Sequence, residues 1–336
     1  MEELFKPTVL TAAVNNIKPV GMKVYDRLFR GKEHLEPTDK LAFEIISGSQ
    51  GILKPISVYA PAVVTEKTGR KLVTMTAPRL AQKRFIHTAE MNQLRAYGQK
   101  IGYEMMQTRI AREQKDMRAI IDRTMEFWAV NALKGKILDA DLSTVLVDYN
   151  MPATHKPVLT GTDLWTDASS DPVAKIREFK KLIEDDSYAD ITDWVAFLGS
   201  EVMDALLSHQ KVRELLKYDK GSQIAESGRI QRLAEVELIE YNGFFRDENG
   251  NLHRFIDPDE FLLVGVCDDL TDVPFAPVVD DDAPGGVGNV DENGNGVLFF
   301  SKSWKEEDPS GRWIKVEARP LPVLQRPGAV VDAKVV

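Results

Sequence analysis

The stretch VDENGNGVLFF, residues 290–300, has the spacing of oxygen-bearing side chains that comes nearest to a known metal site. Four residues fit the opening D-x-[DN]-x-[DN]-G of an EF-hand calcium loop: Asp291, Asn293, Asn295 and Gly296. The twelfth position of such a loop needs a bidentate glutamate, and here it is Lys302. The preceding letters, DDAPGGVGN, cannot form the helix that an EF-hand requires. We therefore expect no calcium site in this stretch.

The same letters, DENGN, occur earlier at residues 247–251, where Leu252 takes the place of the required glycine. Asn-Gly is a strong turn dipeptide, because both residues tolerate a positive φ. Residues 244–245 and 252–255 flank this first copy and are predicted to be strands. The pattern predicts a hairpin turn at 247–251, and a second turn before a strand that begins near Val297.

Sequence motifs of other functional sites match this chain less well than the EF-hand pattern does. GGVGNVD at 285–291 lacks the third glycine of a dinucleotide loop and follows no strand, and neither a phosphate-binding G-x-x-x-x-G-K-[ST] nor a G-x-S-x-G occurs. The five histidines are scattered without metal-ligand spacing. Acid clusters at 185–186, 268–269 and 280–282 are typical of solvated loops and helix ends, and Cys267 is typical of a small buried residue. We expect no catalytic residue, cofactor or metal, and an enzyme with an acidic metal site remains the weaker alternative.

The composition narrows the function classes. The 336 residues have a net charge of −9 and a pI near 5.3, so the chain lacks the basic footprint of a sequence-specific nucleic-acid binder. No apolar run is long enough for a membrane span, and the first residues do not fit a signal peptide. With one cysteine, an intramolecular disulfide is impossible. The basic stretch RLAQKRFIH, residues 79–87, is predicted to be a solvated charged face.

Some of the secondary-structure elements predicted from the sequence are unusually extended. The stretches at 52–64 and 70–78 are β-rich and are joined by a turn around Gly69, which predicts a long hairpin. Such a hairpin is not stable alone and must lie on another body. Residues 1–44 are interpreted as an arm with one short helix, Val20 to Arg30.

The strongest helical pattern runs from about Gly102 to Lys134, with Gly135 as its stop. Apolar residues recur at helical spacing, including Ile110, Met117, Ile121 and Trp128, and charged residues fill the other face. At ~1.5 Å per residue the helix is roughly 50 Å long, which predicts a structural spine lying across a sheet.

The rest of the chain alternates strands and helices. A helix capped by Asp171 with Pro172 at its first position is expected up to Asp186, and a second helix capped by Ser200 follows the buried strand DWVAFLG. Three short strands are predicted within residues 236–265, and further strands near the C-terminus. The fold class is therefore α+β, with a long hairpin and a spine helix suited to a subunit that wraps its neighbours.

An ordered set of stretches resembles the major capsid proteins of tailed bacteriophages, specifically the phage lambda protein E family. The residues that carry the resemblance are TDKLAFEIISGSQGILKPISVYAPAVV (38–64), TMEFWAVNALKGKI (124–137), VDY (147–149), YNGFFRDENGNLHRFIDPDEFLLVG (241–265) and RPLPVLQRPGAVVDAKVV (319–336). They follow the family's order over most of the chain, although no single motif is diagnostic.

The resemblance implies the Hong Kong 97-type phage capsid fold. Its expected parts are an N-terminal arm (1–50), the E-loop hairpin (51–91), a peripheral domain with the spine helix (92–150), an axial domain (151–311) and C-terminal strands that return to the peripheral domain (312–336).

The implied function is that of a structural subunit of an icosahedral tailed-phage or prophage head. Copies would form hexamers and pentamers in the host bacterial cytoplasm, and the shell would enclose double-stranded DNA contacted non-specifically. The implied partners are a separate scaffold protein, a portal and a decoration protein, with no membrane. An encapsulin-like compartment shell with the same fold is the alternative. The residues expected at contacts between subunits are Lys67, Arg70, Arg79, Lys83, Arg84, Gly221 and Ser222.

Overall fold

The computed structural model describes residues 5–19, 21–47, 69–88, 103–216, 229–247, 249–283 and 297–336, with the backbone alone at 47 and 103–106. Its α-helices in these ranges are α1 (Pro7–Asn15), α2 (Lys23–Leu28), α3 (Tyr103–Leu133), α4 (Pro172–Ser187), α5 (Ser200–Ser208) and α6 (Gln210–Leu216).

The strands form several small sheets and one larger sheet. They are β1 (Glu33–Leu35), β2 (Lys40–Ser47), β3 (Gly69–Thr76), β4 (Leu80–His87), β5 (Lys136–Leu138), β6 (Val145–Asp148), β7 (Asp193–Leu198), β8 (Arg232–Leu233), β9 (Val236–Glu240), β10 (Phe244–Arg246), β11 (Leu252–Arg254), β12 (Glu260–Val266), β13 (Thr271–Phe275), β14 (Phe299–Glu306), β15 (Gly311–Ala318), β16 (Val323–Leu324) and β17 (Val330–Lys334). The sheet orders are β1-β13-β16, β2-β3, β5-β6, β10-β11, β14-β15-β4 and β17-β12-β7-β9-β8.

The first of two compact units comprises residues 1–42, 74–128 and 272–323. Its antiparallel sheet β14-β15-β4 has α1 lying against β14. The Thr11 hydroxyl donates to the Ser301 carbonyl at 3.1 Å, and the Asn15 amide donates to the Phe299 carbonyl at 2.8 Å. Polar side chains of α1 therefore fix the helix to the backbone of β14.

The second unit comprises residues 43–73, 129–271 and 324–336 and contains the five-stranded sheet. In this sheet β7 runs parallel to β9, and β12 is antiparallel to both β7 and β17. Residues 261–264 are fully buried, and Trp165 packs edge-on against Phe261 at 4.9 Å between ring centroids. The helix α4 contributes Ile176, Phe179 and Ile183 to this core, and its Asp171 cap is confirmed by the Ala174 N–H donating to the Asp171 carboxylate at 3.0 Å.

The spine helix α3 confirms the predicted element, because its bounds differ from the prediction by one residue at each end. It stops at Gly135, whose φ of +90° is readily adopted only by glycine. The predicted apolar stripe is buried, with Met117 and Trp128 no more than 2% exposed. The charged residues outside this stripe do not form a simple solvated face, because Arg118, Asp122 and Glu126 are buried too. Glu113, also buried, lies one turn before Met117 beside the stripe itself.

The N-terminal residues are more structured than predicted. Besides α2, which lies within the predicted helix, the arm contains α1, β1 and β2. The strand β3 pairs with β2. Residues 52–64, with which it is also predicted to pair, lie outside the described ranges, so that pairing stays a prediction. Leu41, Phe43 and Ile45 alternate as buried residues along β2, so this part of the arm is a strand with one buried face.

Three local predictions were wrong and one is confirmed. The helix α5 has Gly199 at its N-cap, and Ser200 is its first helical residue rather than its cap. The predicted single helix ends at Ser208 because His209 is extended, with ψ of 125°, and α6 begins afresh. Residues 236–266 hold four strands rather than three. The turn at 247–251 is confirmed, since β10 and β11 pair across it.

Candidate assembly surface

The sheet β14-β15-β4 presents two chemically different faces. On the face towards α1 lie buried groups such as Ser301, Ile314 and Val316. Side chains alternate between faces along a strand, so the neighbours Trp304 and Trp313 point to the opposite face. Phe85 is paired with Trp313 in the register and lies on that same face.

The outer face carries an aromatic strip, which we define as Phe85, Trp304 and Trp313. The two tryptophan rings stack at 6.3 Å, and Phe85 lies 4.9 Å from Trp313 between ring centroids. The Lys83 ammonium lies 4.5 Å from the centre of the Trp313 ring, within range of a cation–π interaction. All three aromatic residues are half-buried and Lys83 is exposed. Protein interfaces are enriched in half-exposed aromatic groups of this kind.

Arg79, just before β4, is held by a buried carboxylate. Its guanidinium donates to both oxygens of Glu317 at 2.7 Å, and the Lys315 ammonium lies 2.6 Å from the same carboxylate. The Glu317 side chain is 1% exposed. Burial alone would raise the pKa of Glu317, but hydrogen bonds from Arg79 and Lys315 outweigh it and hold that pKa below its usual value.

The acid cluster at 280–282 lies beside the same sheet and is paired with lysines. Asp280 accepts from Lys302 at 2.8 Å and from Lys315 at 3.1 Å, and Asp282 lies 3.2 Å from Lys302. Burial acts to raise the pKa of Asp280, yet these lysines hold it below its usual value. Lys302 stands at the position where an EF-hand loop requires glutamate. It is therefore an ion-pair partner of two carboxylates and not a metal ligand.

The other basic residues of β4 point to different partners. Arg84 faces α3, where its guanidinium lies 2.9 Å from Glu113 and 3.4 Å from Asp116. The three basic residues of this stretch therefore have different partners. Arg79 pairs with Glu317, Lys83 contacts the aromatic strip, and Arg84 pairs with acidic residues of the spine helix. The stretch is not the uniformly solvated face predicted from the sequence.

The remaining predicted contact residues are not gathered at this surface. Arg70 lies on β3 and forms an exposed ion pair with Glu44 at 2.7 Å. Lys67, Gly221 and Ser222 fall outside the described residues.

Sequence reasoning missed the aromatic strip. Its signal is present in the letters SWKEEDPSGRW, residues 303–313, because a Pro-Ser-Gly turn separates two tryptophans at hairpin spacing. Residues placed symmetrically about a hairpin turn are cross-strand neighbours, as Trp304 and Trp313 are here.

A second polar assembly joins the N-terminal residues to α3. The Glu126 carboxylate accepts the backbone N–H groups of Val24 and Tyr25, each at 2.9 Å. About two turns earlier, Arg118 lies 2.7 Å from Asp122 and 3.2 Å from the centre of the Phe299 ring. The buried polar face of the helix is therefore a docking strip for residues 5–28, the N-terminal segment.

In the described part of the chain, no group of three or more His, Cys, Asp or Glu side chains is arranged to hold a metal ion. None of its helices has the length and apolar character needed to cross a membrane. His155 is buried between the Asp186 carboxylate, at 2.9 Å, and the Val330 carbonyl, at 2.7 Å, so its ring is engaged in packing.

Comparison with known proteins gives one family and a consistent set of structures. The model of the family described as phage major capsid protein E matches residues 6–335. No curated protein matches the sequence significantly.

Three solved structures are similar in fold over nearly the full length of both chains. The putative capsid protein of a prophage of E. coli CFT073 is 18% identical, with a TM-score of 0.66, covering 98% of this chain and 99% of that one. A phage-related protein from Bordetella bronchiseptica RB50 is 14% identical, with a TM-score of 0.58 and coverages of 97% and 96%. The capsid protein of cyanophage Pam1 is 12% identical, with a TM-score of 0.54 and coverages of 95% and 93%.

Proposed function

The chain belongs to the phage major capsid protein E family and is a structural subunit of a phage head shell, and from this premise we propose how its copies assemble. Hexamers and pentamers form an icosahedral shell in the cytoplasm of the host bacterium and enclose double-stranded DNA. The predicted Hong Kong 97-type fold is confirmed by its likeness to phage capsid structures, and an encapsulin-like compartment is not favoured. The family's role is structural and not enzymatic.

The parts of the subunit are assigned as the sequence resemblance implies. Residues 1–50 are the N-terminal arm, 51–91 the E-loop and 92–150 the peripheral domain with the spine helix. Residues 151–311 form the axial domain, and 312–336 are the closing strands. Gly221 and Ser222 would then lie in an axial-domain loop near the capsomer centre, and Lys67 and Arg70 in or beside the E-loop.

The observation that supports a contact between subunits is the half-buried aromatic strip with exposed Lys83 beside it. Desolvating two tryptophans and a phenylalanine supplies binding energy, and a lysine beside them selects an acidic partner. Arg79 and Arg84 already have carboxylate partners within the chain. Lys83 is therefore the residue of this group best placed to meet an acidic patch on a neighbouring subunit.

The proposed partners beyond copies of the chain are a scaffold protein, a portal and a decoration protein. Packaged DNA would be contacted non-specifically. A net charge of −9 supports this arrangement, because a shell without a basic inner wall holds DNA without immobilising it.

Electron microscopy of the purified full chain, alone and with a co-expressed scaffold, tests the proposal. We expect closed shells, tubes or capsomers, and a chain that stays monomeric with every scaffold would contradict it. In the same assay Lys83→Glu should reduce the assembled fraction several-fold, whereas Lys83→Arg should not. Lys181→Glu, at another exposed lysine, is the charge-matched control.

A further inference from the structure

The hairpin β10-β11 has one face packed on its own chain and one face turned to solvent. In its register Phe244 is paired with Arg254, Phe245 with His253, and Arg246 with Leu252. Alternation places Phe245 and His253 on one face. The other face, which we name the outer hairpin face, consists of Phe244, Arg246, Leu252 and Arg254, all of them exposed.

The inner face anchors the hairpin firmly. Phe245 stacks on His253 at 5.5 Å and contacts Phe255 at 5.2 Å between ring centroids. Phe255 in turn stacks on Tyr241 at 5.6 Å, and both Phe255 and Tyr241 are buried. This aromatic ladder leaves the outer hairpin face as the side available to another molecule.

The turn fixes the geometry of the outer face before any partner binds. Asp247 accepts the backbone N–H groups of Asn249 at 2.9 Å and Asn251 at 2.8 Å. It also accepts the side-chain amide of Asn251 at 3.0 Å and lies 3.1 Å from His253 Nε2. A surface that is already ordered loses little entropy on association.

The outer face combines apolar area with positive charge. Phe244 is 56% exposed and Leu252 53%, and these two lie diagonally across the hairpin. Arg246 donates to the Gly250 carbonyl at 2.8 Å within the turn. Among the described residues, neither Arg246 nor Arg254 is in an ion pair. Such a face fits a partner that offers an apolar contact bordered by carboxylates.

We propose that the outer hairpin face binds a second copy of this chain within the shell, an inference that rests on the proposed function. The chain carries 52 acidic against 43 basic residues, so its copies offer the carboxylates that the two arginines require.

The small size of the outer hairpin face also favours a second copy of this chain over a partner that binds through this face alone. Its four side chains can bury on the order of 400–500 Å², well below the roughly 800 Å² per partner of a stable interface. A contact this small holds only where it is repeated alongside others, as in a closed shell, because linked contacts reinforce one another.

Assembly measurements on the full chain test the contact. Phe244→Ser and Arg254→Glu should each raise the concentration at which half the protein is assembled by roughly tenfold. Phe244→Leu retains the apolar contact and should stay within about twofold of wild type. Val145→Ser, at an apolar residue 46% exposed on another strand, is the matched control. Equal urea midpoints for the unassembled variants show that folding is unchanged.

Photocrosslinking identifies the occupant directly. A benzophenone side chain at position 244 should yield chain-to-chain dimers from assembled particles and none from unassembled protein. Crosslinks to DNA, to another protein or only within one chain would overturn the inference, as would wild-type assembly by Phe244→Ser. Those outcomes leave wild-type shells intact, whereas a wild-type chain that never assembles refutes the proposed function and this contact together.

Discussion

Removal of the Glu126 carboxyl group should release α2 from the spine helix. Glu126 is fully buried, and its two oxygens accept the N–H groups of Val24 and Tyr25 at the start of α2. These donors belong to the first turn of a helix and have no partner within it. Val24 and Tyr25 are themselves buried, so water cannot replace the carboxylate without local opening.

The expected magnitude follows from the two bonds. A hydrogen bond to a charged acceptor contributes about 1.5–3 kcal/mol, and a buried donor left unpaired costs about 1–3 kcal/mol. We expect Glu126→Ala to lose roughly 3–4 kcal/mol in the opening free energy of α2. Glu126→Gln retains one acceptor oxygen and should lose about 2 kcal/mol. At about 1.4 kcal/mol per factor of ten, the loss for Glu126→Ala corresponds to amide exchange roughly 150- to 700-fold faster, and the loss for Glu126→Gln to exchange roughly 30-fold faster.

Amide hydrogen exchange measured on peptides that cover residues 23–28 reports this opening. Glu178→Gln is the matched control, because Glu178 is 66% exposed and pairs with Lys175 on the surface of α4. Its effect on the α2 amides should be negligible. If Glu126→Gln accelerates exchange of the α2 amides less than threefold in an otherwise folded protein, the carboxylate is not what holds α2.

Two further predictions concern a helix cap and a titrating histidine. Asp171→Ala should lower the urea unfolding free energy by about 1 kcal/mol, whereas Ser200→Ala should change it little, and equal losses would contradict the cap assignment. Hydrogen bonding to Asp272 raises the pKa of His34 to about 9, so its contribution to stability is complete below pH 6.5 and lost as the pH rises to 9. Urea unfolding from pH 6 to 10 should show this loss in wild type and not in His34→Gln.

Elements with strong local signals were predictable from the sequence. Asp171 followed by proline defines the start of α4, and Gly135 defines the end of α3, because each acts through its own backbone geometry. The pairing of β3 with β2 was not found in this way. The sequence pattern favours the β-rich residues 52–64 as a partner, which are nearer along the chain, because neighbouring strands pair more often than distant ones. The alternation of Leu41, Phe43 and Ile45 was the signal that β2 is itself a strand with one buried face.

The basic residues of β4 show why a prediction made from composition alone has to be combined with the alternation of side chains along a strand. Lys83 and Arg84 are adjacent in the sequence, so on a strand they point to opposite faces and cannot share one partner. The alternation of side chains along the strand is enough to assign them to different surfaces. In the structure Lys83 contacts Trp313 and Arg84 contacts Glu113. Which surface each one meets depends on α3 and β15, and residues far away in the sequence set those positions.

The charged face of the spine helix could not be interpreted from α3 alone. A run of charges opposite an apolar stripe normally indicates solvent, since burying a charge without partners is costly. Here Arg118 and Asp122 pair with each other along the helix, and Glu126 accepts two backbone N–H groups of α2. On the same strip the uncharged Gln114 donates to the Leu10 carbonyl at 3.0 Å, so backbone groups of the N-terminal segment complete the set of partners. Backbone donors and acceptors carry no side-chain signature, so no pattern in either segment reveals the match. Apolar packing alone would tolerate a shift of the N-terminal segment along the helix, whereas these directional bonds fix its register on α3.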